Sequence, residues 1–271
     1  METTVVIDGD TILYGAFKYR DWGPASDPTK FTEEQDSAYL LKGLAQYKGI
    51  ISSIEDATYA DKVLVAVKGE GNFRADIFPD YKLYRKSSYR PVNGFVEALR
   101  RYAIDCLGAI PAHGMEADDL LRIWHNEELA KGNECIIAHI DKDLMAIPGK
   151  HYRFVKIRKD NVGRRPSFIT VYHGDKVKIT NVTEEEAARS YYTQLLTGDS
   201  TDNIPGLPQI GPERAYAILE ECNTEAEMRK MVCYAYQTLI GDNWEEALIL
   251  TGRLITMLPH RDYIFNINGW I

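Results

Sequence analysis

The sequence predicts an α/β fold: a mostly parallel central sheet flanked by helices, followed by a helical C-terminal segment. Three observations point there. Short apolar runs rich in β-branched residues occur at Thr3–Ile7, Lys62–Val67 and Glu134–Ile140, with helical spacing of apolar residues between them. Strands that alternate with helices imply parallel pairing with helices on both faces. From Thr183 onward the strand pattern gives way to repeated helix-start signals.

The first run reads as a buried strand ending at Asp8-Gly9-Asp10. A helix follows at about 33–54, opened by a capping box of Thr32 with Gln35. It carries Leu40, Leu41, Leu44, Tyr47, Ile51 and Ile54 at helical spacing. Lys62 to Val67 is the second strand. Pro91 closes a basic stretch and leads into a helix with Val92, Phe95, Val96, Leu99, Tyr102 and Cys106 on one face. Glu116 to about Ala130 forms the next helix, and Glu134 to Ile140 the third strand. Thr183 with Glu186, Thr224 with Glu227 and Asn243 with Glu246 then mark three helix starts. The chain therefore divides into an α/β core over 1–180 and a helical segment over 181–271, without an internal repeat.

Composition excludes several classes. No apolar run approaches the roughly 20 residues a membrane-spanning helix needs, and the N-terminus lacks the basic region and cleavage site of a secretory signal. Cys106, Cys135, Cys222 and Cys233 form neither a CxxC nor a zinc spacing, so they read as free thiols suited to a reducing cytoplasm. Gly69-Glu70-Gly71 lacks the Lys-Ser/Thr of a phosphate-binding loop, which argues against a nucleotide cofactor. The six histidines show no ligand spacing and read as structural.

In sheets of this kind the ligand site lies beyond the carboxyl ends of the strands, and there the acids gather. Four groups stand out: Asp8-Gly-Asp10, Glu116-Ala-Asp118-Asp119, Asp141-Lys-Asp143 and Asp199-Ser-Thr-Asp202. Each follows a strand or sits at a helix boundary. Acidic pairs at helix starts also serve as plain caps, so no single pair decides the matter; the recurrence does. Hard divalent cations take oxygen ligands of this type. Two of them roughly 3.5–4 Å apart can activate water and stabilise the leaving oxygen of a phosphoryl displacement. Crowded carboxylates should also have raised pKa values. The net charge of −8 is not an objection to a nucleic-acid partner. Nine of the 40 acids belong to these groups, leaving 31 acids against 32 lysines and arginines.

The motifs in order are Val6-Ile7-Asp8-Gly9, Phe73-Arg74 with Tyr81-Lys82-x-x-Arg85, Gly114-Met115-Glu116-Ala117-Asp118-Asp119, Asp141-Lys142-Asp143 and Gly198-Asp199-Ser-Thr-Asp202-Asn203-Ile204-Pro205-Gly206. Together they resemble the 5′-nuclease superfamily, which includes flap endonucleases, the 5′ nuclease domain of bacterial DNA polymerase one and bacteriophage 5′–3′ exonucleases. The resemblance runs from residue 5 to about 220 and looks most like a phage exonuclease. It implies a PIN-like core and two divalent ions, Mg²⁺ or Mn²⁺, held by Asp8, Glu116, Asp118, Asp119, Asp141 and Asp143, with Asp199 and Asp202 completing the second position. Asp10 is a further candidate ligand. It implies a helix–hairpin–helix-type DNA-binding motif at about 198–218, with a monovalent cation such as K⁺, and an arch at about 74–101 over the active site. Lys82 and Arg85 are then the catalytic cations. Arg74, Tyr81, Lys82, Arg85, Asn203, Gly206, Ile210 and Gly211 are the DNA-binding set.

The residues carry part of this independently. Gly206, Pro208 and Gly211 make a tight turn, and Pro212 suits a first helical position. Backbone N–H groups there can hold phosphate without reading sequence. Between Arg74 and Arg101 seven basic residues face three acids, with Tyr81, Tyr84 and Tyr89 interleaved, as a single strand requires. Residues 150–178 hold nine basic residues against two acids and form a second candidate DNA face.

Three positions depart from the superfamily's pattern. Val67 stands where an acid is expected after the second strand, leaving Asp10 or Glu70 to compensate, and Gln194 and Glu213 stand where lysines are common. The leading expectation is 5′–3′ exonuclease and flap endonuclease activity on DNA with 5′ ends or flaps. Removal of RNA from RNA–DNA hybrids and a catalytically weak branched-DNA binding module are the alternatives.

Overall fold

The computed structural model describes residues 1–17, 33–83, 92–154, 156–157, 169–170 and 179–270. In chain order the elements are β1 (Thr3–Asp8), α1 (Gly9–Ala16), α2 (Glu33–Thr58), β2 (Lys62–Lys68), α3 (Phe73–Ile77), α4 (Val92–Leu107), β3 (Ile110–Ala112), α5 (Ala117–Ala130), β4 (Glu134–His139), β5 (Gly149–Arg153), β6 (Lys156–Ile157), β7 (Ile169–Thr170), β8 (Ile179–Val182), α6 (Glu184–Thr197), α7 (Pro212–Leu219), α8 (Glu225–Ile240) and α9 (Trp244–Ile255). Single 3₁₀ turns occupy Asp143–Ala146 and Gly241–Asn243. The chain forms two compact units. One comprises Met1–Gly71, Tyr89–Ile140 and Lys150–Thr180; the other comprises Asn72–Ser88, Asp141–Gly149 and Asn181–Ile271. The second unit thus takes in two short pieces from the N-terminal two-thirds of the sequence as well as the helical segment.

In the first unit β1 is the central strand, parallel to β2 on one side and to β4 on the other. Strand β3 extends the sheet beyond β2 and β5 beyond β4, both parallel. The order is β3-β2-β1-β4-β5-β8. Five consecutive residues of β1, Thr4 to Asp8, are buried, because helices cover both faces of a parallel sheet. Val5, Ile7, Val65, Val67 and Ile136 meet Ile12 and Leu13 of α1, Tyr39, Tyr47 and Ile54 of α2, and Val96 and Leu99 of α4. Phe17, Tyr39 and Phe95 close the aromatic end of this core, with ring centroids 4.7–5.9 Å apart. Helix α2 runs four residues past the expected end. Thr58 continues it by donating to the Ile54 carbonyl at 2.8 Å, and Tyr59 stops it with φ 51°. The expected Thr32 cap lies outside the described residues.

In the second unit α6, α7, α8 and α9 bury Leu195, Leu196, Ala215, Leu219, Val232, Tyr236 and Leu248. The predicted capping boxes are present: Thr183 with Glu186 opens α6, and Thr224 with Glu227 opens α8. Asn243 makes no side-chain cap, because the preceding 3₁₀ turn runs directly into α9. Arg189 donates to the carbonyls of Leu219 and Cys222 at 2.6 and 2.9 Å, satisfying the C-terminal end of α7. Phe265 lies on Gly252, and Trp270 packs edge-on against Tyr192.

A carboxylate ties the N-terminal ends of the first unit's strands together. Glu128, only 2% exposed, accepts from Thr4 at the start of β1, Lys62 at the start of β2, and Lys131 and Asn133 before β4, at 2.9–3.2 Å. Those donors, Asn133 first, hold its pKa down to about 2 from 4.5. A depressed acid contributes stability above its unfolded pKa. That contribution is complete above about pH 4.5 and is lost as pH falls toward 2. Urea unfolding of Glu128→Gln at pH 7 should show a loss of about 1–3 kcal/mol, and the variant's stability should fall less steeply than the parent's between pH 4.5 and 2.

Candidate functional site

Asp8 is both the last residue of β1 and the N-cap of α1. Its carboxylate accepts the Thr11 N–H at 3.3 Å and the Thr11 hydroxyl. Gly9 allows α1 to begin this close to the sheet, since a Cβ there would come within 2.7 Å of the Ala66 carbonyl. Glu116 is the N-cap of α5, with Asp118 and Asp119 in its first turn. Asp119 is fully buried and accepts the Glu116 N–H at 2.9 Å, so it fixes the entry of α5 and with it the placement of Glu116. Both of the predicted groups in this unit thus lie at the start of a helix, where peptide N–H groups offset their charge.

Val67 is wholly buried in the sheet, beside Pro111 of β3. The carboxylate nearest this strand end comes from another element. Asp10 accepts the Lys68 N–H at 2.6 Å through one oxygen, and Nε and Nη2 of Arg100, each at 2.9 Å, through the other. Arg100 is buried, and its remaining nitrogen pairs with the exposed Glu97. Asp10 therefore ties α1, the end of β2 and α4 together, and Arg100 balances its charge. Glu70 bonds through its backbone, its N–H donating to His113 Nδ1 and its carbonyl accepting from the Gly114 N–H.

The second unit holds the other four acids. Asp141 accepts the Asp143 N–H at 2.9 Å, and the Gln194 amide donates to Asp143. Asp199 accepts the Thr201 N–H at 2.7 Å, and Asp199 and Ile204 exchange backbone bonds of 3.0 and 2.7 Å that close the loop between α6 and α7. Gly206 lies directly against the Thr197 backbone, with no room for a Cβ. Burial raises the Asp143 pKa to about 6, and the charges of Asp141, Asp199 and Asp202 add to it. This is the raised carboxylate that crowding predicts. Asp202 pairs with Lys82, Nζ to Oδ2, at 3.2 Å. Among the described residues no three His, Cys, Asp or Glu side chains converge closely enough to hold one ion. Each of these carboxylates leans instead on a protein donor, which leaves further lone pairs for a cation. The donor set, oxygen throughout, suits a hard ion.

Two residues expected at DNA are inside. Arg74 is 2% exposed, with Nε on the Leu254 carbonyl and Nη2 on the Thr256 carbonyl, both at 2.8 Å. Tyr81 is 3% exposed and packs with Ile204 and Leu254. Their long apolar stems and rings serve as anchors of α3 and the turn after it, a use that residue type and spacing do not distinguish from nucleic-acid contact. Arg85, Tyr84, Tyr89 and most of the basic stretch 150–178 lie outside the described residues. In the hairpin, Gly211 caps α7 with Pro212 at its first position, Ile210 donates to the Leu207 carbonyl at 3.1 Å, and Gln209 takes φ 62°. Glu213 is exposed in the first turn of α7. Among the described residues His125, His139 and His151 are buried, and His139 and His151 share a 2.9 Å bond. No helix among the described residues is long and apolar enough to cross a membrane.

Residues 3–191 match the family described as 5′-3′ exonuclease, N-terminal resolvase-like domain. DNA polymerase I of Rhizobium leguminosarum is 31% identical over 153 residues, covering 55% of this chain and 14% of that protein. The 5′-3′ exonuclease of Buchnera aphidicola subsp. Schizaphis graminum is 23% identical over 232 residues, covering 80% of this chain and 69% of that one. The chain thus spans about a seventh of the polymerase's length and about two-thirds of the free-standing exonuclease's. Among solved structures, the bacteriophage T5 D15 flap endonuclease, crystallised with DNA and metal ions, superposes with a TM-score of 0.59 at 16% identity, covering 95% of this chain and 89% of that one. The shared fold is that of the parallel sheet, its helices and the helical segment.

The Asp10–Arg100 pair yields a stability test. Asp10→Ala leaves a buried guanidinium with one exposed partner and should cost about 3 kcal/mol in urea unfolding. The double variant Asp10→Ala/Arg100→Met should recover most of that loss, because no buried charge remains.

Proposed function

We propose that this chain, which belongs to the 5′-3′ exonuclease family by its N-terminal resolvase-like domain, is a divalent-metal-dependent 5′–3′ exonuclease and flap endonuclease acting on DNA. The observation that carries the reading is the group of acids in the second unit, where Asp143 is raised to about 6 by burial and by Asp141, Asp199 and Asp202, with Lys82 on Asp202 at 3.2 Å. A cluster that resists carrying its own negative charge is a cluster that favours a cation.

In this reading Asp8, Glu116 and Asp118 would each offer an oxygen to one Mg²⁺ or Mn²⁺ from the first unit, with Asp119 positioning Glu116. Asp141, Asp143, Asp199 and Asp202 would offer oxygens to a second, and waters would fill the positions that, among the described residues, no three converging side chains supply. A bound ion supplies an activated water and a Lewis acid for the phosphoryl oxygen. Gln194 orients Asp143. Lys82 brings an ammonium to the phosphate, where it stabilises charge that grows in the transition state. The turn at Gly206–Gly211 and the start of α7 grip duplex phosphates through backbone N–H groups, with K⁺ as the monovalent partner of that turn. Asp10 and Arg74 are framework residues here. DNA with 5′ ends or flaps is the substrate, with RNA–DNA hybrids as the comparison, and the cysteines suit the cytoplasm of a bacterial host cell.

The test is a duplex with a labelled 5′ flap, incubated in Mg²⁺, Mn²⁺ or EDTA beside Asp141→Ala. Cleavage near the junction is expected with either metal and not in EDTA, and Asp141→Ala should lower the rate at least about a hundredfold. An RNA flap run in parallel reads the preference between the two 5′ strands. If neither metal supports a cut while the flap binds better than plain duplex, the chain is a branched-DNA binding module and the nuclease reading falls.

A further inference from the structure

We infer that Asn203 is a positioning residue for Lys82. The Asp202–Asn203 corner clasps the turn Asp80–Lys82 and sets where the lysine ammonium stands. At least three bonds join these two stretches, 123 residues apart at the first of them. The Asn203 amide Nδ2 donates to the Asp80 carbonyl at 3.0 Å. The Lys82 N–H donates to the Asp202 carbonyl at 2.9 Å. The Lys82 ammonium meets Asp202 Oδ2 at 3.2 Å. The bonds fall on either side of Tyr81, which is buried against Ile204 and Leu254, so the turn is pinned at its centre and at both ends.

Backbone geometry shows which residue imposes the arrangement. Lys82 and Asn203 both adopt the left-handed conformation, at φ 53° and 60°. Asparagine tolerates that region, whereas a long unbranched side chain gains nothing there. Lys82 is thus held in a sparsely populated state by the bonds around it. One result is a fixed seat for its ammonium, 4.9 Å from the centroid of the Tyr81 ring and in contact with Asp202. Asn203 is the one member of the clasp whose side chain acts only on the turn's backbone. Removing its amide frees the Asp80 carbonyl, and the turn can relax toward negative φ and carry the ammonium away. The use of that ammonium at a phosphate rests on the nuclease reading above; its placement does not.

Asn203→Asp separates the two. It keeps tolerance for left-handed φ, removes the donor and sets a second acceptor against the Asp80 carbonyl. In protein whose lysines carry ¹³C-dimethyl labels, the Lys82 signal, assigned through Lys82→Arg, should move in Asn203→Asp toward that of the exposed Lys142, while Lys62 stays in place. A Lys82 signal that does not move overturns the inference. In flap cleavage Asn203→Asp should lower kcat about tenfold with KM within about twofold, and should cost nothing further in a Lys82→Ala background. A loss that multiplies with Lys82→Ala also overturns it, since Asn203 would then act on its own account. If Asn203→Asp does not fold, Asn203→Gly removes the amide at a position glycine accepts freely. If the parent protein cuts no flap, the nuclease reading fails and the lysine signal alone decides whether the clasp exists.

Discussion

Taking a carboxylate out of water costs several kcal/mol unless donors or cations replace the lost solvent, and this constraint shapes both units. Glu128 collects four donors at the starts of β1, β2 and the turn before β4. Asp10 collects a peptide N–H and a guanidinium at the opposite end of β2. Asp8 and Asp119 lean on helix starts, and Asp202 on Lys82. At Glu128, Asp10 and Asp202 the acid is also the point at which elements distant in sequence are tied together, so the placing of charge and the placing of backbone are one problem there.

That coupling explains what could be read from the sequence. The strands at Thr3–Asp8, Lys62–Lys68 and Glu134–His139 and the capping boxes at Thr183 and Thr224 are local: β-branched runs and i, i+3 signals suffice to locate them. The placing of Asp8, Glu116 and Asp118 at a strand end or a helix start was legible for the same reason. Arg74 and Tyr81 were not. Their partners, Leu254, Thr256 and Ile204, lie more than a hundred residues away, and a basic or aromatic residue looks the same in sequence whether it meets a carbonyl indoors or a phosphate outside. Asn243 shows the converse limit. The residue type was right for a cap, yet a 3₁₀ turn ahead of α9 already occupies its place.

Val67 and Asp10 belong in one account. A buried valine stands at the end of β2, where the superfamily resemblance leads to the expectation of an acid, and Asp10 accepts the next residue's N–H from the first turn of α1. Arg100 accompanies Asp10 and balances its charge. Gln194 has a comparable part in the second unit, where a neutral amide meets Asp143 without adding a positive charge.

The central position of β1 has a consequence for synthesis. Thr3 pairs in register with Glu134, and Glu2 meets Asn133 131 residues away. A chain that emerges from the ribosome N-terminus first therefore exposes its central strand early, with β2 available soon after and β4 only much later. Contacts of such long range are slow to form, and an unpaired strand edge meanwhile invites aggregation. The nascent first unit should thus dwell as an incomplete sheet until residues near 150 have been made, and this half of the molecule, more than the locally wired helices that follow, is where a cell would have to lend a chaperone.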